Sequence, residues 1–273
     1  MVTEITDDFD LAKIAESGQC FRWEGQEDGS FRILNGAFCL YATALGDSRY
    51  LFECGEAEYE SVWKDYFDLR ENYGDIRKGI DREADPFLWA ASEHGKGIRI
   101  LRQKPWEALA SFIISQNKNI PAIRRSIELL AKKCGERKAD GRGKVYYAFP
   151  EAKAVASLSE SALKECGLGY RWKYVKAAAE AVTSGRLDFG ELEKMEDCEA
   201  EAELMKLHGV GAKVASCVSL YGLHRLDAFP RDVWIKRIME NEYPGGYPYG
   251  QYQPYNGVYQ QYMFFYYRNR ERG

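Results

Sequence analysis

Residues 207–239 read LHGVGAKVASCVSLYGLHRLDAFPRDVWIKRIM, and this stretch decides how the chain is understood. A Gly209-Val210-Gly211 turn runs at once into Lys213 on an apolar-periodic helix. Asp232 then opens a second apolar helix, 19 residues after the lysine. Gly209 and Gly211 can both adopt positive φ, which lets backbone N–H groups converge outward where a helix starts. A helix N-terminus with free N–H groups is a ready phosphate site. Taken alone, a Gly-x-Gly turn is as often only a tight connection between helices.

Val214, Val218 and Tyr221 follow helical spacing and are expected to face the core. Lys213 and Cys217 are four apart and share one helix face. An amine beside apolar surface gives up its proton more readily, and a free amine is a nucleophile. Its ammonium form would draw the neighbouring thiol toward thiolate. The plainer alternative is a surface lysine beside a buried cysteine. Asp232 follows Phe229-Pro230-Arg231 and precedes Val233, Ile235, Ile238 and Met239, the setting of an N-cap. Most capping aspartates only cap. A capping carboxylate is nonetheless rigid, and it can stabilise positive charge that develops on a deoxyribose ring. Anion cradle, amine and carboxylate together point to cleavage of the bond between a base and its sugar.

With these parts in order, the segment resembles the helix-hairpin-helix glycosylase superfamily and, within it, the 8-oxoguanine DNA glycosylase family. Further matches follow in family order. They are Ser17-Gly18-Gln19-Cys20-Phe21-Arg22-Trp23, Leu101-Arg102-Gln103, Ser111 to Ile120, Gly167-Leu168-Gly169-Tyr170-Arg171, and Gly257-x-x-Gln260-x-x-x-Phe264. Together they cover nearly the whole chain.

The resemblance implies a bifunctional N-glycosylase and abasic-site lyase acting on duplex DNA that contains 8-oxoguanine. Lys213 would form the Schiff base and Asp232 would assist. Gly18, Cys217, Pro230, Trp234, Gln260 and Phe264 would recognise the base. The Gly18 carbonyl would accept the lesion's extra N7 proton, and Phe264 and Cys217 would sandwich the ring. Asn117 and Tyr170 would fill the gap left by a flipped nucleotide, and Arg171 would meet the estranged cytosine. Gly209, Val210 and Gly211 would grip the DNA backbone. The carbonyls of Met205, Leu207 and Val210 would offer a monovalent or divalent cation a seat that assists DNA binding only. No cofactor is expected. No cysteine follows Cys217, which excludes the C-terminal iron–sulfur cluster of some relatives. The rivals are a monofunctional glycosylase for alkylated bases, which normally lacks the lysine, and a non-catalytic helix-hairpin-helix DNA-binding protein.

Composition agrees. A chain of 273 residues is long enough for two cores. Seven cysteines without CxxC spacing argue for a reduced interior and against a zinc site or a disulfide framework. Neither a signal peptide nor a membrane partner is expected, so the chain reads as an intracellular monomer, cytoplasmic and nucleoid-associated if prokaryotic. Net charge is -4, yet residues 1–90 carry -11 and residues 96–144 carry +9. The positive stretch is expected to face phosphates, or else to be an ordinary solvated helical surface.

The expected fold is α+β. Residues 1–85 alternate in short runs such as Phe31 to Leu34 and Ala37 to Tyr41, which reads as an antiparallel β domain. Residues 86–273 form a mostly helical glycosylase core. Its helices include Trp106 to Ile114, Ile120 to Lys133, Ser159 to Cys166, Lys173 to Thr183 and Glu199 to Leu207. The helix-hairpin-helix falls at about 199–221. A Tyr/Gly/Pro-rich loop spans 243–256, and a pocket helix spans 257–268. That loop reads as a plain surface connection in preference to a mobile cover over the cleft.

Two departures from the eukaryotic pattern stand out. Ala122 replaces an arginine that helps to read the opposite cytosine, and Trp234 replaces a histidine. The pattern is closer to the prokaryotic branch. Excision of 8-oxoguanine is therefore expected at comparable rates opposite cytosine and adenine. A single-turnover preference for cytosine above about tenfold, roughly 1.4 kcal/mol, would count against this.

Overall fold

The structure is a computed structural model that describes residues 1–270. Its N-terminal part is a five-stranded antiparallel sheet with strand order β1-β5-β4-β3-β2. The strands are β1 (Val2–Glu4), β2 (Trp23–Gly25), β3 (Phe31–Asn35), β4 (Phe38–Gly46) and β5 (Arg49–Phe52). Register pairs Ile33 with Leu40 and Ala42 with Phe52, so one apolar face is continuous. That face packs on Phe9, Ile14, Trp63 and Phe67. After Phe52 the chain turns helical, through a π-helical turn Tyr59–Trp63 into Lys64–Tyr66.

The second core is built around helix Pro105–Ser115, in which every residue from Glu107 to Ile114 is buried. Helices Ile120–Cys134, Trp172–Thr183 and Ala212–Tyr221 pack on it. The expected helices appear, with ends moved by one or two residues. One stretch departs from the helical reading of 86–240. Strands β6 (Arg137–Ala139) and β7 (Val145–Tyr147) form a hairpin within it. Its turn holds Gly143 at φ +79°, and Asp140 accepts the Lys144 amide at 2.9 Å. An Asp-Gly-rich turn of this kind overrides the helical pattern around it.

Gln19 fastens the Ser17 to Trp23 segment to the helical core. Its fully buried amide donates to Arg99 O at 2.9 Å and accepts Leu101 N at 2.8 Å. Gln103 returns a bond to Gln19 O at 2.7 Å. Gly18 is thereby fixed beside the C-terminal helix.

Much of the positive stretch is occupied internally. Arg99 is buried with Asp7, Arg102 pairs with Asp68, Lys133 with Glu165, and Arg142 with Asp28 and Glu53. The segment's net +9 therefore overstates the charge left for phosphates.

The Tyr-rich segment is a docked element, not a plain surface connection. It contains a short helix, Tyr249–Tyr252, and buries Tyr247 and Tyr252. Asp85 caps helix Pro86–His94 through Leu88 N at 2.9 Å. The same carboxylate accepts Tyr243 OH at 3.0 Å and Tyr252 OH at 2.9 Å. Tyrosine makes this possible, because its ring adds to the core while its hydroxyl still finds a partner. Asp85→Ala removes a cap and strands buried hydroxyls, and should cost about 2–4 kcal/mol. Urea unfolding checks this, and a loss below about 1 kcal/mol would show that the tyrosines find other partners.

Candidate active site

Helix Asp197–Met205, the turn after it and helix Ala212–Tyr221 form the expected hairpin. Gly209 sits at φ +84°, and a Cβ there would lie 2.1 Å from the Tyr174 ring. Only glycine satisfies both demands. Gly211 differs from expectation: its φ is -99° and a Cβ would meet nothing within 4 Å. It is an extended N-cap without side-chain capping, which leaves the first amides of the helix uncovered. Gln116 donates to Gly209 O at 3.0 Å and ties the turn to the central helix.

Lys213 lies on the first turn after Gly211, with its Nζ 5.2 Å from the Phe112 ring centroid. Asp232 caps helix Val233–Glu242, one oxygen accepting Trp234 N and Ile235 N at 2.9 Å each. Both side chains line one cleft with Gly18, Cys217, Pro230, Gln260 and Phe264. Most of the expected base-recognition residues are thus brought together. Trp234 is not on this lining; its ring sits against Tyr267 at 6.4 Å and beneath Arg237.

Gly18 adopts φ +84°, and a Cβ on it would lie 3.3 Å from Phe264 Cε1. Arg268 lies over the other ring contact, 5.1 Å from the Phe264 centroid, and bonds Glu16 O. Gln261 is fully engaged, accepting Tyr221 OH at 2.6 Å and donating to Ser17 O at 2.9 Å. Gln260, one residue earlier, is buried with its Oε1 unpartnered. Burying an acceptor without a partner is costly, so this oxygen is suited to a ligand's donor.

Burial pushes the Cys217 thiol above its ordinary value, while Lys213 pulls it down by charge and by a hydrogen bond. Burial wins, which runs against a resting thiolate–ammonium dipole.

A second group is built on the turn after helix Pro105–Ser115. Asn117 adopts φ +50° and donates to Tyr170 OH at 3.1 Å. Tyr170 is half exposed. Arg171, in contrast, is buried: it donates to Gln116 O and to Asn117 O at 3.2 Å, and its guanidinium lies 4.5 Å from the Tyr170 ring centroid. It holds the Asn117 turn in shape instead of presenting a free guanidinium. Lys118 adds a second strut, to Gly167 O and Ser126 Oγ at 2.6 Å each. Burial and the nearby Arg171 lower its pKa.

Sequence reading missed Phe112, Gln116 and Tyr174. Gln116 and Phe112 lie within a quoted match, and nothing in their spacing marks a contact across the fold. Tyr174 is marked only by the glycine it presses on.

At the hairpin, Leu207 O accepts Val210 N at 3.1 Å. Among the described residues, the carbonyls of Met205 and Val210 accept no backbone amide outside the helices.

Residues 1–109 match the family described as 8-oxoguanine DNA glycosylase, N-terminal domain, and residues 110–244 match the HhH-GPD superfamily of base excision DNA repair proteins. The N-glycosylase/DNA lyase of Saccharomyces cerevisiae is 38% identical over 263 residues, 85% of this chain and 68% of that protein. The chain belongs to the 8-oxoguanine DNA glycosylase family. A probable N-glycosylase/DNA lyase of Methanothermobacter thermautotrophicus is 28% identical, over 87% of this chain and 84% of its own. Among solved structures, the Clostridium acetobutylicum 8-oxoguanine glycosylase/lyase, in complex with duplex DNA containing cytosine opposite 8-oxoG, superposes with a TM-score of 0.90. It is 34% identical and covers 99% of this chain and 98% of its own.

Native protein treated with iodoacetamide at pH 8 should label the exposed Cys198 and spare Cys217. Mass-spectrometric mapping checks this. Labelling of Cys217 at the rate of Cys198 would show an open, ionised thiol.

Proposed function

We propose that the chain excises 8-oxoguanine from duplex DNA and then nicks the strand, with Lys213 as nucleophile. The observation that carries this reading is the meeting of Lys213, Asp232 and the unpartnered Gln260 Oε1 on one cleft. A base within a duplex offers its sugar carbon little room, so the damaged nucleotide is flipped out. Tyr170 wedges at the gap and Asn117 fills the vacated space. Arg171 meets the estranged cytosine only by giving up its bonds to Gln116 and Asn117. In the free protein its part is to hold that turn.

In the cleft, Gly18 O accepts the N7 proton that guanine lacks. Gln260 bonds the Watson–Crick edge, and Phe264 and Cys217 take the two faces of the ring. The Lys213 amine attacks C1′. The Nζ–C1′ bond forms as the bond from C1′ to the base breaks, and the base leaves with a proton. Asp232 stabilises the positive charge on the sugar and accepts protons. Opening of the sugar gives a Schiff base. Loss of a C2′ proton then expels the 3′ phosphate by β-elimination, and the strand is nicked.

A cation on the Met205, Leu207 and Val210 carbonyls would fix the hairpin against a DNA phosphate and takes no part in the chemistry. The chain acts as a monomer on chromosomal DNA, nucleoid-associated if the source is prokaryotic. No described helix is long and apolar enough to cross a membrane. The lysine on the cleft disfavours a monofunctional alkylated-base glycosylase, and Lys213 and Asp232 on one lining disfavour a silent binding module.

Borohydride trapping on a duplex with one 8-oxoguanine opposite cytosine tests the reading. Wild type should cross-link and Lys213→Gln should not. Asp232→Asn should slow base release by about 10²-fold or more. Base release without a cross-link would point to water as nucleophile, and neither product would remove the proposal.

A further inference from the structure

The Tyr-rich segment has no part in the reaction just described, yet it grips the loop that delivers Asp232. Gly257 N donates to Leu226 O at 2.7 Å. Asn256 Nδ2 donates to Asp227 at 2.6 Å. Phe229 packs on Tyr247 and Tyr249, with ring centroids 5.2 and 5.1 Å away. Arg231 donates to Tyr249 OH at 2.6 Å, and its guanidinium lies 5.4 Å from the same ring's centroid. The loop from Leu226 to Arg231 is therefore seated along its length.

Arg231 is exposed, and no acidic partner lies within ion-pair distance of it among the described residues. Val233, on the other side of Asp232, is 65% exposed, an unusual position for an apolar side chain. A cation and an apolar side chain thus stand on either side of the carboxylate in the chain, next to the cleft that Pro230 and Asp232 line. Bound strands offer this same pairing, since each nucleotide presents a charged phosphate and an apolar sugar face. A nucleotide whose C1′ reaches Lys213 carries a phosphate on either side, next to Asp232. Arginine suits such a contact, and a stacked, hydrogen-bonded arginine loses little freedom on making it.

We propose that Arg231, held in place by Tyr249, contacts a backbone phosphate flanking the flipped nucleotide. The inference rests on the glycosylase reading for which nucleotide is flanked. It gives the Tyr-rich segment a role in substrate binding, as the template for a preset phosphate contact.

The test is the salt dependence of binding to a duplex carrying a tetrahydrofuran abasic analogue opposite cytosine, read by fluorescence anisotropy. Arg231→Gln should weaken binding several-fold and reduce the slope of log K against log salt by about 1. Arg231→Lys should restore the slope. Tyr249→Phe should weaken binding while leaving the slope unchanged, because the charge remains but is no longer held. An unchanged slope in Arg231→Gln overturns the proposal, even if affinity falls, since a purely structural role moves affinity alone. Tyr249→Phe binding as tightly as wild type overturns the tyrosine's part. Borohydride trapping with wild type keeps the two readings apart. Trapped product with an unchanged slope removes only the phosphate contact. A reduced slope without trapped product leaves Arg231 as a DNA contact and removes the lyase reading.

Discussion

Two backbone amides at 2.9 Å hold one oxygen of Asp232, and the cleft is arranged around that carboxylate. The cap contributes about 1 kcal/mol to helix Val233–Glu242, and the helix end favours its negative charge. Its larger effect is geometric. A carboxylate pinned in this way cannot swing toward a distant positive centre, so any group that is to act with it must be brought to it. Helix Ala212–Tyr221 brings Lys213 onto the same cleft, and Phe112 beside it limits where the amine can lie. The loop between the two helices is then fixed from outside by Asn256 and Gly257.

The sequence made the fold class legible because its periods are clear. Ile33, Leu40, Ala42 and Phe52 pair on one buried face of the sheet, and Ala108 to Ile114 fill one buried helix. The site was legible to the extent that function sits in short motifs. Gly18, Lys213, Cys217, Pro230, Asp232, Gln260 and Phe264 converge as their family order implies. What could not be read was set either by a local turn or by contacts across the fold. The β6–β7 hairpin arises from a local turn that outweighs the surrounding helical pattern. The Tyr-rich segment reads as low complexity because tyrosine, glycine and proline carry no period. Its order comes from Asp85, more than 150 residues away in sequence.

Charge is where sequence arithmetic misleads most. A run with a net +9 looks like a DNA-facing surface, but several of its cations pair with acids of the N-terminal part. Arg171 shows the same at a single residue: it lies in a motif tied to cytosine, yet in the free protein it braces Gln116 and Asn117. The exposure of a charged group, more than its presence, decides whether it meets phosphate.

The close approach of Phe264 to Gly18 carries a consequence for the growing chain. These two walls of the cleft are separated by almost the whole sequence, whereas the hairpin is complete by Tyr221. During synthesis the hairpin segment is therefore complete before both walls of the cleft are. Contacts of such long sequence separation also form late and slowly. A chain lacking helix Asn256–Arg270 would lose Phe264 from beside Gly18 and, at the same stroke, Tyr259, Tyr262 and Met263 from the helical core, so this wall of the cleft and the core close together.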